Sequence, residues 1–477
     1  MPRRVHLIPI LSCVVIPITG CGEITSRLLG KENVRPQTST QESDVRFLSL
    51  EDPECLNQKA IETISSATIY QWDGRISNPK TVTLNGRAGT SGEFVTANVI
   101  GSMLNVEKTT KCIESVNGDQ NCQMPSVTNQ SSQVWLKICR SNGTYKRDSI
   151  EAVTLTGLYF IEQSYEYYSS IPGSKAGLKK SYLIPQIKST RELTNAKGQT
   201  KTAIDSDNAS FSSDTRTEGS FGVLTLYPTS SGFFKKSNNN FWEIPFVLQH
   251  EFGHHVLDYY IASALALNGL SLTHFGQQRD HWILPMPGDR QRNRSYQLAE
   301  GGIQMLALNG IHELFADLFA YFAGGASADQ LLGVLCLDVT RDPSSSKTKA
   351  GSMKGMDTSR IDIYEGRAQP AAGPTDCGEP TYDEEHDIAI GLGYPIAMFI
   401  KQVTKDQNAA DASKLLLQWA TAMNTFIGQK FSQVSTDTLI RELVLSAKAV
   451  PGNMTDACSA LKPMITGLPQ ASNSCTE

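Results

Sequence analysis

A His-Glu-Phe-Gly-His stretch at residues 250–254 constrains this chain more than any other feature of its sequence. Apart from one glycine, residues 246–262 contain neither glycine nor proline, so the sequence predicts a helix there. Residues four apart lie on one face of a helix, so His250 and His254 can present two imidazoles to one metal ion. Glu251 lies about 100° further round the helix, beside such an ion without being a ligand. The alternative is a chance match to this pattern in a buried helix.

A second apolar segment provides a candidate third ligand. Residues 311–323 have a strongly apolar helical face, and Glu313 and Asp317 stand four residues apart within them. A carboxylate in an apolar helix is costly unless it is paired or bound to a metal. We therefore predict that Glu313 is a metal ligand and that Asp317 accepts a hydrogen bond from a ligand imidazole. The alternative is that both carboxylates face solvent.

Together the two segments carry a family resemblance. His250-Glu251-x-x-His254 followed by Glu313-x-x-x-Asp317 resembles the gluzincins, and specifically the thermolysin-like zinc metallopeptidases. The resemblance implies Zn²⁺ as cofactor, two histidines and one glutamate as its ligands, and Glu251 as the general base that acts on a peptide or protein substrate. It also implies that Asp317 orients His250. A metzincin site is excluded, because that pattern needs a histidine six residues after His254.

Two flanking segments extend the resemblance. Residues 256–259, which include Asp258, are similar to the group's continuation after the second histidine. Residues 310–317 are similar to its G-x-x-N-E-x-x-S-D element, with His312 in the position of the asparagine. In that group the asparagine supports a ligand histidine, and a neutral His312 could donate the same hydrogen bond to His254.

His386 is the candidate partner for the developing oxyanion. It follows an acidic run and precedes an apolar segment at 388–403, as a histidine of the thermolysin-like group does. Acidic neighbours favour the charged imidazole, which suits that role. A surface histidine at a helix start is the alternative, and Tyr382 and Tyr394 are further candidates for the role. His274 and His281 stay open as other metal ligands.

The predicted fold class is α+β. The expected zincin-type catalytic domain has a mixed sheet with an edge strand, an active-site helix and then a mostly helical lobe, and a small β-rich domain precedes it. Residues 222–227 predict a strand, which is either the substrate-pairing edge strand of such a domain or an ordinary core strand. The polar residues 187–220 predict a loop. The expected units are a lipoprotein signal peptide (1–20), a flexible tether (21–48), a β-rich disulfide-pinned domain (49–150) and the catalytic domain (151–477) with insertions at 264–300 and 338–380.

The N-terminal residues predict export. Two arginines precede a mostly apolar stretch too short to span a bilayer, which ends in a small residue before Cys21. This ending resembles a bacterial lipobox, so we expect a lipid on Cys21 that anchors the protein in the bacterial cell envelope. The expected location is the outer membrane. An ordinary signal peptide cleaved nearby is the alternative.

Eight cysteines remain outside that signal and anchor, an even number that suggests four disulfides in an exported chain. Proximity in the sequence favours the pairs Cys112–Cys122 and Cys458–Cys475. A Cys336–Cys377 bond would close a loop-rich segment and leave Cys55 to pair with Cys139.

Composition narrows the function classes. The net charge of −5 provides no basic patch, so nucleic acid is not an expected partner. Three functions remain: a zinc-dependent metalloendopeptidase, a non-catalytic zinc-binding envelope lipoprotein that uses a degenerate zincin scaffold as an adhesin, and an envelope structural protein in which the histidine motif is accidental.

Overall fold

Long helices make up most of the described structure, with small sheets beside them. The structure is a computed structural model. The residues it describes are 45–46, 66–72, 77–84, 102–105, 108–114, 120–123, 133–136, 144–178, 181–185, 189–195, 197–204, 209–214, 221–226, 229–230, 240–270, 283–285, 293–298, 301–324, 360–364, 384–405, 409–450, 454–465 and 467–476. Within these ranges no helix is both long and apolar enough to cross a membrane.

Eight α-helices are described. They are α1 (Ile150–Ser170), α2 (Pro245–Leu267), α3 (Gly302–Gly324), α4 (Glu384–Val403), α5 (Ala409–Lys430), α6 (Thr436–Lys448), α7 (Met454–Leu461) and α8 (Pro469–Ser474). The helices predicted at 246–262 and 311–323 are confirmed as parts of α2 and α3, and the apolar segment 388–403 lies in α4.

Local signals explain where several helices begin. The Ser149 hydroxyl caps α1 by accepting a hydrogen bond from the backbone N–H of Ala152 at 3.2 Å. Pro245 starts α2, where its missing N–H costs nothing and its fixed φ suits the first turn. Ser435 and Thr438 form a reciprocal capping box at the start of α6.

The core lies where α2 and α3 cross. The Phe252 ring on α2 lies 5.9 Å from that of Phe319 on α3, and Phe315 on α3 lies 6.3 Å from Trp419 on α5. All four side chains are buried, so these helices stack through large aromatic groups. The helices α1, α4, α5 and α6 pack round the pair.

A glycine sets the distance between α2 and α3. A Cβ on Gly253 would lie 2.8 Å from the Cα and 3.1 Å from the carbonyl oxygen of Ala316. The backbones therefore meet at a glycine and an alanine. This close approach brings the next turn of α3, with its carboxylates, beside the histidines of α2.

A mixed three-stranded sheet lies beside α2. It consists of β8 (Ser181–Pro185), β11 (Ala209–Asp214) and β12 (Phe221–Leu226), in the order β11-β12-β8. The strand predicted at 222–227 is therefore present as β12, which is the middle strand, parallel to β8 and antiparallel to β11. Among the strands described, β11 is the edge strand that packs against α2.

The loop predicted at 187–220 is wrong. This segment contains β9 (Ser189–Thr194) and β10 (Thr200–Ile204) as well as β11. The side-chain oxygen of Asn195 accepts hydrogen bonds from the backbone of Lys197 and Gln199, which closes the turn between β9 and β10. The polarity of threonine and serine led to the loop prediction, but threonine also favours strands. Pairing with neighbouring strands makes these segments strands.

Seven strands are described in the N-terminal part of the chain. They are β1 (Val45–Arg46), β2 (Ala67–Trp72), β3 (Ser77–Val82), β4 (Ser102–Asn105), β5 (Lys108–Glu114), β6 (Gln120–Gln123) and β7 (Gln133–Leu136). β5 pairs in parallel with β9, and β1 pairs with β13 (Thr229–Ser230), so strand pairing crosses residue 150. The division into domains there stays a prediction.

The two expected insertions pair with each other. β14 (Ile283–Pro285) and β15 (Asn293–Leu298) lie in the first, and β16 (Arg360–Tyr364) lies in the second. β15 pairs antiparallel with both other strands in one three-stranded sheet. The insertions thus share a structural element although 61 residues lie between the end of β15 and the start of β16 (360 − 298 − 1).

One of the four predicted disulfides is described. Cys458 on α7 and Cys475 after α8 are bonded, with Cα atoms 5.4 Å apart, which confirms that pair. Cys112 and Cys122 face each other as Cα partners on β5 and β6, and their bond stays a prediction. The other four cysteines lie outside the described residues.

Candidate metal centre

Two histidines of α2 and one glutamate of α3 form a group that could hold a metal ion. The Nε2 atoms of His250 and His254 lie 2.9 Å apart. Glu313 places Oε2 at 3.4 Å from the His250 Nε2 and Oε1 at 3.7 Å from the His254 Nε2. All three residues are buried, with 2–7% of their surface exposed.

The donor set fits zinc. Zinc takes imidazole nitrogen and carboxylate oxygen ligands at about 2.0–2.1 Å, so tetrahedral ligands lie about 3.3 Å from one another. The two imidazole nitrogens lie 2.9 Å apart, and each has a Glu313 oxygen near that value, Oε2 at 3.4 Å from His250 and Oε1 at 3.7 Å from His254. Three protein ligands would leave a fourth position for water or substrate, as in catalytic zinc sites.

Asp317 lies behind His250. Its Oδ1 is 2.8 Å from the His250 Nδ1, on the ring side away from Glu313. The carboxylate can accept only, so the Nδ1 carries the proton that joins them. Burial lowers the pKa of His250, but the hydrogen bonds and charges of Asp317 and Glu313 outweigh it and raise that pKa from 6.5 to about 9 in the metal-free protein.

His254 contacts His312. The two Nδ1 atoms lie 2.6 Å apart, and the His312 Nε2 lies 2.7 Å from the Oδ1 of Asp258. His254 and Asp258 stand on α2, and His312 reaches them from α3. His312 thus lies within hydrogen-bond distance of both His254 and Asp258.

Glu251 follows His250 on α2 and is 3% exposed. Its predicted role as a general base belongs to the sequence pattern, in which the glutamate after the first histidine acts beside the metal. Glu313 and Asp317 are buried carboxylates that contact the histidines, and together they favour a cation there.

Sequence reasoning missed Phe211, which reaches the site from the edge strand β11. Its ring centroid lies 6.2 Å from that of His254 and 5.6 Å from that of His255. Phe211 is buried and covers the β-sheet side of α2. No local signal could have revealed it, because its segment is polar and the contact depends on how the sheet packs.

The remaining candidates are only partly described. His386 falls in the first turn of α4, and its side chain lies outside the described residues. Tyr394 stands further along α4 and is half-buried. The other sequence candidates outside the described part are Cys21, His274, His281 and Tyr382.

Comparison with known proteins assigns the chain to no family. No family model matches the chain. A search of curated proteins also finds no match. The support for a metal centre is the convergence of two imidazole nitrogens and a carboxylate in a buried position between α2 and α3.

Proposed function

We propose that the chain is a zinc-dependent metalloendopeptidase. The observation that carries the proposal is the buried convergence of His250, His254 and Glu313, with Glu251 directly after the first histidine. A site that only held zinc would need the three ligands. It would not need a further buried carboxylate in the position of a general base, so the complete set favours catalysis over storage or scaffolding.

The roles of the side chains follow from their chemistry. A bound zinc ion would supply a Lewis acid that polarises the peptide carbonyl and lowers the pKa of a water ligand to about 7. Glu251 takes a proton from the attacking water and later delivers it to the leaving amine. Asp317 keeps the His250 ring oriented with its Nε2 towards the other ligands.

The fold around the site supports a zincin-type arrangement. A mixed sheet lies beside the helix that carries the histidines, and its edge strand β11 packs against that helix. An extended peptide could add to β11, the edge strand among those described, by backbone hydrogen bonds, which bind without reading the side chains. In this proposal β11 takes the role that the sequence suggested for β12.

Two parts of the proposal rest on sequence alone. We assign stabilisation of the oxyanion to His386, whose replacement by alanine would lower kcat more than it raises KM. We also propose that a lipid on Cys21 anchors the protein in the bacterial cell envelope. The mass of the mature N-terminal peptide would test that anchor, since an unmodified terminus contradicts it.

The central experiment compares peptide cleavage by the wild type and Glu251→Gln. We expect the variant to retain zinc and to lose about 10²–10⁴-fold in kcat/KM, the usual contribution of a general base. A chelator should abolish cleavage by the wild type, and added zinc should restore it. Glu166→Gln is the matched control, because Glu166 is exposed on α1.

Two outcomes would contradict the proposal. Cleavage that survives both the chelator and Glu251→Gln would show that the site is not the source of activity. Stoichiometric zinc without cleavage of any peptide in a broad library would favour the non-catalytic zinc-binding lipoprotein.

A further inference from the structure

A line of hydrogen-bonding groups extends from His254 away from the metal position. It runs from the His254 Nδ1 to the His312 Nδ1 at 2.6 Å, and from the His312 Nε2 to the Asp258 Oδ1 at 2.7 Å. The planes of the two rings differ by 16°. His254 and Asp258 stand four residues apart on α2, so they lie on the same face of that helix. The His312 ring, which extends from α3, lies between them and contacts both.

The chemistry of the three groups fixes where the protons are. An ionised carboxylate only accepts hydrogen bonds, so the His312 Nε2 must carry a proton for Asp258. In a neutral imidazole the other nitrogen is then an acceptor, so the His312 Nδ1 accepts from the His254 Nδ1–H. The remaining nitrogen of His254, Nε2, therefore carries the lone pair. That is the atom next to Glu313 and His250.

Burial makes this arrangement stable. The side chains of His254, His312 and Asp258 are 2%, 13% and 4% exposed. Water has little access to compete for their hydrogen bonds, and hydrogen bonds in such surroundings are stronger than in water. The direction of the hydrogen bond between the histidines is the opposite of the sequence expectation, since His312 accepts it.

We infer that His312 and Asp258 are positioning residues that hold His254 in the tautomer and orientation that metal binding requires. This inference deepens the proposed function and rests on the metal centre in it. His250 is held directly by Asp317, whereas His254 is held by Asp258 through a second imidazole. Each ligand histidine is thus linked to a carboxylate. The link from His254 to Asp258 passes from α2 to His312 on α3 and back to α2.

Zinc affinity tests the inference without any use of activity. We expect His312→Phe, which keeps a flat ring and removes both nitrogens, to bind zinc about 10–100-fold more weakly in competition with a chromogenic chelator. His312→Asn should recover most of that loss, because the asparagine Oδ1 takes the position of the His312 Nδ1 and can accept from His254. Asp258→Asn should weaken binding by about 10-fold. Asp456→Asn, exposed on α7, is the control for loss of an aspartate.

A spectroscopic readout distinguishes positioning from general support of the fold. In zinc-loaded protein with ¹⁵N-labelled histidine, two-bond ¹H–¹⁵N spectra should show His254 protonated at Nδ1 only and His312 at Nε2 only. Any other tautomer of His312 in the wild type would overturn the inference, even if His312→Phe failed to fold. The thermal midpoint of each variant shows whether it folds.

The outcomes separate this inference from the proposed function. Wild-type zinc affinity retained in His312→Phe, or no recovery in a folded His312→Asn, would remove the positioning role and leave the peptidase proposal intact. Zinc binding that depends on His312 in a protein that cleaves no peptide would support the positioning role and contradict the peptidase. A wild type that binds no zinc would overturn both.

Discussion

At the scale of single residues, Glu313 matters most because it offers one oxygen to each ligand histidine. Those oxygens lie 3.4 Å from the His250 Nε2 and 3.7 Å from the His254 Nε2. Glu313→Gln keeps the size of the side chain and removes its charge. We expect a loss of zinc affinity of more than about 100-fold, beyond what a lost outer partner causes.

Zinc content after dialysis against a weak chelator measures this loss. The wild type should retain one zinc ion per chain, and Glu313→Gln should retain almost none. Glu166→Gln on the exposed face of α1 controls for the loss of a glutamate. If Glu313→Gln kept its zinc, the third ligand would have to be another residue.

His250 gives the metal site a pH dependence. In the metal-free protein its pKa is raised to about 9 by Asp317 and Glu313, against the opposing effect of burial. At pH 7.5 the imidazole is therefore protonated, and zinc must displace a proton to reach Nε2. We expect zinc uptake to release about one proton at pH 7.5, and zinc affinity to rise with pH until about 9.

Calorimetry in two buffers of different ionisation enthalpy measures the released proton. At pH 7.5 the heat of zinc binding should differ between the buffers in proportion to their ionisation enthalpies. The difference should shrink as the pH rises above about 9. Equal heats in both buffers at pH 7.5 would show that His250 is already neutral before zinc binds.

At the scale of helices and strands, the contact between α2 and α3 builds the site. Gly253 lets the helix backbones approach, since a Cβ there would meet the Ala316 backbone at 2.8 Å. Backbone atoms cannot move aside as a side chain can. Gly253→Ala should therefore separate the helices, cost about 1–3 kcal/mol of unfolding free energy, and lower zinc affinity because Glu313 moves away from the histidines.

Gly428→Ala on α5 is the matched control. A Cβ there would meet Leu267 at 3.5 Å, an ordinary contact, so we expect a gain of about 0.5–1 kcal/mol from the lost flexibility of glycine. Urea unfolding and zinc competition on both variants provide the comparison. An unchanged zinc affinity in a folded Gly253→Ala would show that the spacing of the helices does not limit the site.

An interaction could be predicted from the sequence where its residues lie close together along the chain. His250 with His254 and Glu313 with Asp317 are pairs four residues apart, so a helix places each pair on one face wherever the helix packs. The strands β9 to β11 are polar and short, and although β10 and β12 pair with neighbours in the sequence, β9 also pairs with the distant β5. Phe211 reaches His254 because the sheet packs against α2, so no local pattern indicates the contact.

At the scale of the whole molecule, the candidate metal group joins two helices at the centre of the core. α2 and α3 are buried along most of their length and are covered by α1, α4, α5 and α6. A ligand that binds only the folded chain stabilises it by an amount that grows with the logarithm of its concentration. Because zinc would need donors from both helices, unfolding of either helix should release the ion.

Zinc should therefore stabilise the entire helical core rather than a local segment. At a free zinc concentration about 1,000 times the Kd, we expect about 4 kcal/mol of added unfolding free energy. Circular dichroism at 222 nm should show one transition that moves to higher temperature with zinc and back with a chelator. Glu313→Gln should lose most of this shift while Glu166→Gln keeps it. A zinc-dependent change confined to a minor early transition would mean that α2 and α3 unfold independently of the other helices, and the site would then be stabilised locally.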